Sequence, residues 1–168
     1  SFDLAKLIDE TGFAQQVVSP DIEVDIHHAR KPLIIAADER LLGQAIGNIV
    51  KNAAEAIERL TDVEEKQGTI EIRTEEAEDS IAIVIEDNGP GFPEEARERL
   101  LEPYVTTREK GTGLGLAIVN RIIVDHGGSI QLQGREGSRN GARVRIMLPK
   151  QADLEELEDD AESTEVLS

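Results

Sequence analysis

Strand patterns occur in neighbouring pairs along this sequence, and that arrangement limits its fold more than any other feature. TIEIRT (69–74) and SIAIVIED (80–87) alternate apolar and polar positions and are separated by a short acidic EEAED that suits a turn. SIQLQG and ARVRIMLP form a second, closing pair around a loop at REGSRNG. Nearer the start, IEVDIHH alternates Ile22, Val24 and Ile26 with charged residues, and LIIAAD is a short apolar run after Pro32, so these two are also expected to pair. Helical patterns stand between the pairs without strict βαβ alternation. The expected class is α+β, a two-layer sandwich with a mixed sheet covered on one face by helices.

The helices are read from apolar steps of three and four. Leu4, Leu7, Ile8 and Val17 mark a first helix over 3–18, ended before Pro20. Leu42, Ile46, Ile49, Ala53 and Ile57 mark a long one from Asp38, its N-cap, to about Leu60. Pro93 opens a short helix to Leu101, and Leu114, Ile118 and Ile122 mark a last one that stops at HGG.

Net charge is −17, which argues against binding to nucleic acid or an anionic membrane surface, because both need clustered Lys and Arg. Any anion site must therefore be built locally. The last 18 residues hold eight acidic residues and no basic one, so 151–168 is expected to be a solvated tail outside a folded domain of 1–150. Leu154 and Leu157 could give that tail one apolar helical face. There is no cysteine, no signal-like start and no membrane-length apolar run, and a cytoplasmic setting is expected.

Three stretches carry chemistry. On the long helix, Asn48, Asn52 and Glu55 fall within an arc of roughly 60° beside the apolar stripe. Stacked amides there can offer oxygen to a hard cation such as Mg²⁺, which keeps waters and phosphate oxygens as well; two ordinary polar positions would look the same. In EDNGPGF, Asp87 and Asn88 end an apolar strand and are expected at the sheet rim, while Gly89 and Gly91 let a flat ligand approach. A carboxylate there can accept from an exocyclic amine, though a tight turn would use the same residues. In GTGLGLAIV, Gly111, Gly113 and Gly115 run into a helix start that suits phosphate. Thr106, Thr107, Arg108 and Lys110 lie just upstream and supply hydroxyls and positive charge. The spacing fits neither the dinucleotide fingerprint nor a P-loop.

Taken in order, these stretches resemble the ATP-binding catalytic domain of sensor histidine kinases, within the superfamily shared with gyrase, heat-shock chaperone and MutL ATPases. NIVKNAAEAI resembles the N box, DNGPGF the G1 box, LLEPYVTT the F-box region and GTGLGLAIV the G2 box. The match covers about residues 3–149, and its wording is most similar to nitrogen-regulation sensor kinases of the NtrY/NtrB type. The resemblance implies the Bergerat ATP-binding fold, ATP and Mg²⁺ as ligands, Asp87 on adenine, Asn52 and Asn48 on the metal, and a lid over 101–113. It extends the nucleotide site to Glu55, Gly89, Gly91, Thr106, Thr107, Arg108, Lys110, Gly111, Thr112, Gly113, Leu114, Gly115 and Leu116. Two departures stand out: Glu55 where many members carry Lys or Arg, leaving phosphate to Arg108, Lys110 and Lys51, and Leu101 in place of the F-box Phe.

No histidine sits where an acceptor would. His27 and His28 are in a strand pattern and His126 precedes GlyGly, so all three read as structural or surface residues, and without cysteine a zinc site is not expected. The chain is therefore read as a fragment, monomeric by itself. Its implied partners are the parent's dimerisation and acceptor-His segment and a downstream response regulator, with a membrane-anchored parent implied by resemblance alone. The rival readings are a switch ATPase or a small serine kinase of the same superfamily, both of which would carry Glu at the place of Asn48, and a nucleotide-binding regulatory module without turnover.

Overall fold

The alternating apolar positions do line one side of a single sheet. The computed structural model describes residues 1–58, 67–91, 115–134 and 141–151. In chain order these form β1 (Phe2–Asp3), α1 (Leu4–Val18), β2 (Ile22–His27), β3 (Ile34–Ile35), α2 (Glu39–Glu58), β4 (Gly68–Glu76), β5 (Ser80–Asp87), α3 (Gly115–Asp125), β6 (Ser129–Gly134) and β7 (Ala142–Pro149). The main sheet has five strands in the order β2-β4-β5-β7-β6. Only β2 and β4 run parallel; every other neighbouring pair is antiparallel.

The first expected strand pair does not form. β3 pairs instead with β1, Phe2 opposite Ile35, while β2 lies beside β4 with Ile22 opposite Gly68. Parallel strands need a long crossover, and α2 supplies it. β3 is drawn away by Asp3, which accepts from the N–H groups of both Ala5 and Leu33 at 3.0 and 2.9 Å. That carboxylate caps α1 and holds the 33–35 segment across the end of the core, where Leu33 and Ile35 are buried.

One face of the sheet meets the helices. Ile70 and Ile72, Ile81, Ile83 and Ile85, Val144, Ile146 and Leu148 pack against Leu4 and Ile8 of α1, Leu42, Ile46, Ile49 and Ala53 of α2, and Val119, Ile122 and Ile123 of α3. Val17 departs from the expected stripe: with Phe13 and Val18 it is exposed on the outer side of α1. α3 likewise buries Val119 and Ile123 rather than Ile118.

The opposite face has no helix among the described residues, yet Val84 is fully buried on it. Arg73 and Arg145 stand directly either side of Val84 in the ladder, and their aliphatic stems cover it. Their charged ends join Glu75 and Glu86, the latter also held by Arg143 at 2.6 Å. Gln16 protects the outer edge of β2, donating to the Ile22 carbonyl at 2.6 Å and accepting from the Val24 N–H at 3.0 Å. Beyond β7, Gln151 bridges to Ala36, which places the first residue of the expected tail beside β3.

Candidate functional site

Asp38 starts α2 as expected, accepting from the Leu41 N–H at 3.0 Å. The stripe Leu42, Ala45, Ile46, Ile49, Val50, Ala53 and Ala54 is buried, which fixes the rotation of the helix about its axis. Asn48, Asn52 and Glu55 are consequently half-buried along one flank, and Lys51 is exposed. The flank with Asn52 faces α3: a Cβ built on Gly115, the first described residue of that helix, would stand 3.7 Å from Asn52 Nδ2. Free N–H groups of a helix's first turn carry partial positive charge, so the amide of Asn52 and the start of α3 together border a place suited to anionic oxygens.

At the other contact, β5 brings Asp87 to the end of the same turns of α2. Ile81, Ile83, Ile85 and Asp87 alternate onto the helix side of the sheet, and Asp87 is buried. Its Oδ1 accepts from the Gly89 N–H at 2.8 Å, which orients the carboxylate. Gly89 itself is pressed to α2: a Cβ there would stand 3.3 Å from Ile57 N and 3.4 Å from Ala56 C. Gly91 has φ +82° and a Cβ on it would meet the Gly141 carbonyl at 2.9 Å, so both the backbone geometry and the close approach require glycine. Gly89 thus touches α2 at Ala56 and Gly115 touches it at Asn52. The two contact points are four residues apart on α2, about 6 Å along the axis.

Asn88 does not emerge at the rim beside Asp87. Its side chain turns back to β4, accepting from the Thr69 N–H at 2.9 Å and donating to the Gln67 carbonyl at 2.8 Å. Thr106, Thr107, Arg108, Lys110, Gly111, Thr112, Gly113 and Leu114 lie outside the described residues, as do the 93–101 helix, Leu101 and the 101–113 lid. Of the G2 stretch, Gly115 and Leu116 are described, Leu116 half-buried in the first turn of α3.

The donor set suits a magnesium–phosphate ligand better than a bare metal. Among the described residues no three His, Asp or Glu side chains cluster to hold a metal ion. Mg²⁺ draws on water and phosphate oxygens and needs only one or two protein oxygens, which amides of Asn48 and Asn52 can supply.

Two features were not foreseen from sequence. His126 is buried, with Nδ1 2.8 Å from the Ile122 carbonyl and Nε2 3.2 Å from the Asp38 N–H, so it latches the end of α3 to the start of α2. Its place before two glycines was the available signal. Gly141, the partner of Gly91, could have been suspected from the Asn-Gly pair. His28 is also structural: Nε2 meets Asp9 at 2.8 Å while Nδ1 lies 3.4 Å from Thr74 Oγ1. Asp9 is held below the usual carboxylate range; burial opposes this, but hydrogen bonds and charge from Lys31 and His28 outweigh it.

Residues 37–152 match the family model described as histidine kinase-, DNA gyrase B-, and HSP90-like ATPase. Nitrogen regulation protein NtrY of Azorhizobium caulinodans is 46% identical over 150 residues, covering 88% of this chain and 19% of that protein. The chain therefore spans about a fifth of that relative's length. The catalytic domain of histidine kinase ThkA superposes with a TM-score of 0.76 at 33% identity, over 89% of this chain and 94% of that one. ThkA has also been solved in complex with response regulator protein TrrA, matching with a TM-score of 0.72 at 30% identity over 89% of this chain and 41% of that one. Full-length ShkA in complex with AMPPNP matches with a TM-score of 0.75 at 28% identity over 90% of this chain and 31% of that one.

Proposed function

We propose, on the premise that this chain belongs to the histidine kinase-, DNA gyrase B- and HSP90-like ATPase family, that it is the ATP-binding catalytic domain of a sensor histidine kinase. The observation that carries the reading is the convergence of Asp87, through Gly89, and of the α3 start, through Gly115, on neighbouring turns of α2. A base at one contact and phosphates at the other would span that flank.

In this reading the Asp87 carboxylate accepts a hydrogen bond from the exocyclic amine of adenine, and Gly89 and Gly91 let the backbone beside it pack closely on α2 and Gly141. Asn52 and Asn48 hold a magnesium ion, with Glu55 beside them and Gly115 and Leu116 at the phosphate end. The resemblance assigns Thr106, Thr107, Arg108, Lys110, Gly111, Thr112, Gly113 and Leu114, which lie outside the described residues, to the phosphates as well. When bound, Mg²⁺ neutralises phosphate charge; this chain positions the nucleotide and supplies no nucleophile. The γ-phosphoryl passes to an imidazole nitrogen of a separate acceptor segment: a P–N bond forms, the bond to the β–γ bridging oxygen breaks, and ADP leaves.

The acceptor segment of the parent kinase and a downstream response regulator are the partners this activity needs, and the reaction belongs in the cytoplasm. The fragment of 1–150 with its acidic 151–168 extension would be monomeric, since dimerisation falls to the acceptor segment. No helix among the described residues is long and apolar enough to cross a membrane.

The test is calorimetric titration of ATP with Mg²⁺ into the wild type, Asp87→Asn and Asn52→Ala, followed by labelled-phosphate transfer to purified acceptor-helix domain. Loss of binding in Asp87→Asn and of magnesium dependence in Asn52→Ala supports the assignment. Undiminished binding in both overturns it, and ATP binding without transfer to the acceptor histidine favours a regulatory module.

A further inference from the structure

The β4–β5 ladder outlasts the main chain of β5. The strand ladder ends at Asp87 opposite Ile70, yet the next residue keeps two bonds to Thr69 of β4 and one to Gln67 just before it. The Asn88 N–H donates to the Thr69 carbonyl at 3.3 Å. Its Oδ1 accepts from the Thr69 N–H at 2.9 Å, and its Nδ2 donates to the Gln67 carbonyl at 2.8 Å. A primary amide carries one acceptor and one donor group in a plane, as a peptide unit does, so the side chain stands in for the peptide that would have continued the strand. The main chain is thereby released to turn at Gly89 while its point of departure stays pinned.

That pin adjoins the base-reading carboxylate on both sides. Asp87 precedes Asn88 directly, and the Gly89 N–H that orients Asp87 Oδ1 follows it directly. Gly68, the first residue of β4, lies between the two residues that Asn88 binds and has the Ile57 side chain directly against it, which restrains β4 from shifting with the turn. We propose that Asn88 is a positioning residue for base selection: its amide locks the end of β5 to β4 and so holds the Asp87 carboxylate at the angle required to accept from adenine, without touching the nucleotide. This rests on the reading of Asp87 given above.

The experiment compares ATP with inosine triphosphate, which presents a carbonyl where adenine presents an amine, by titration with Mg²⁺ into the whole chain. Wild type, Asp87→Asn, Asn88→Ala and Asn88→Asp are measured, each with its melting temperature. Asn88→Ala removes both side-chain bonds; Asn88→Asp is isosteric and keeps the acceptor for Thr69, but replaces the donor to Gln67 by a carboxylate oxygen and adds a charge beside Asp87. The expected result is that ATP affinity falls roughly tenfold or more in Asn88→Ala, the scale of one hydrogen bond to a charged group, while inosine triphosphate affinity hardly moves. The preference then collapses toward that of Asp87→Asn, with Asn88→Asp in between. A purely structural tie would lower the melting temperature and weaken both nucleotides alike, leaving their ratio at the wild-type value; that outcome overturns the proposal. Should Asn88→Ala fail to fold, a wild-type ratio in Asn88→Asp overturns it equally. A wild type without preference, or an Asp87→Asn variant that keeps it, instead overturns the adenine reading itself.

Discussion

Gly89 lies against the main chain of Ile57, leaving no room for a side chain: a Cβ would stand 3.3 Å from Ile57 N and 3.0 Å from Asp87 Oδ1. The helix backbone cannot give way, whereas the carboxylate can. Gly89→Ala is therefore expected to turn Asp87 out of position. ATP affinity should fall by about tenfold, as for loss of one hydrogen bond to a charged group, with a small loss of stability. Parallel calorimetry and thermal melts check this; unchanged affinity would show that Asp87 does not need its present orientation.

Glycines at Gly91 and Gly47 should respond oppositely to alanine. Gly91 combines φ +82° with a Cβ position 2.9 Å from the Gly141 carbonyl, and Gly91→Ala should cost about 1–3 kcal/mol. Gly47 is inside α2 with nothing among the described residues within 4 Å of its Cβ position, so Gly47→Ala should add about 0.5–1 kcal/mol by restricting the unfolded chain. Urea midpoints of the two variants should move in opposite directions. Gly47→Ala should also bind ATP normally, because the new methyl reaches none of the described residues.

These contrasts show what a sequence carries and what it withholds. The α2 flank with Asn48, Asn52 and Glu55 was legible because a helix of twenty residues leaves its rotation little freedom once seven positions are buried. The strand pairs around β4–β5 and β6–β7 were legible because short turns force antiparallel neighbours. The partner of β2 was not: it is decided by a contact across α2 and by the pull of Asp3 on residue 33, neither of which is local. Asn88 misled for a similar reason. Alternation says which way a side chain leaves a strand, but not that an amide will turn back and substitute for the next peptide.

The His126 latch has one consistent tautomer. Nε2 must accept, because its partner is the Asp38 N–H, and Nδ1 must donate, because its partner is the Ile122 carbonyl. Nitrogen NMR should find the proton on Nδ1, a minority arrangement for free imidazole. His126→Leu keeps bulk but leaves both backbone groups without that partner in a buried place, and should cost about 2–4 kcal/mol. A proton on Nε2 would mean that the α2–α3 contact differs from the one described.

Acid should remove the contribution of Asp3 at the α1 end, and the sign follows from its hydrogen bonds. The Leu33 N–H is the main cause holding its carboxyl below the usual carboxylate range; burial opposes, and the Lys6 and Ala5 N–H groups reinforce it. A folded pKa below the unfolded one stabilises above the unfolded value, about 3.9, and that stability is lost as pH falls through the folded pKa. Glu75 behaves in the same direction, chiefly through its hydrogen bond from Arg145, but is exposed enough for salt to screen it. Overall stability against pH would mix these terms with relief of the chain's own −17 repulsion, so the informative quantity is a difference. Asp3→Asn keeps an oxygen for the Ala5 and Leu33 N–H groups and removes the charge together with the second acceptor oxygen. Wild type should exceed Asp3→Asn in urea midpoint at pH 6, and the gap should close as pH falls below about 4. A gap independent of pH would assign the role of Asp3 to geometry alone.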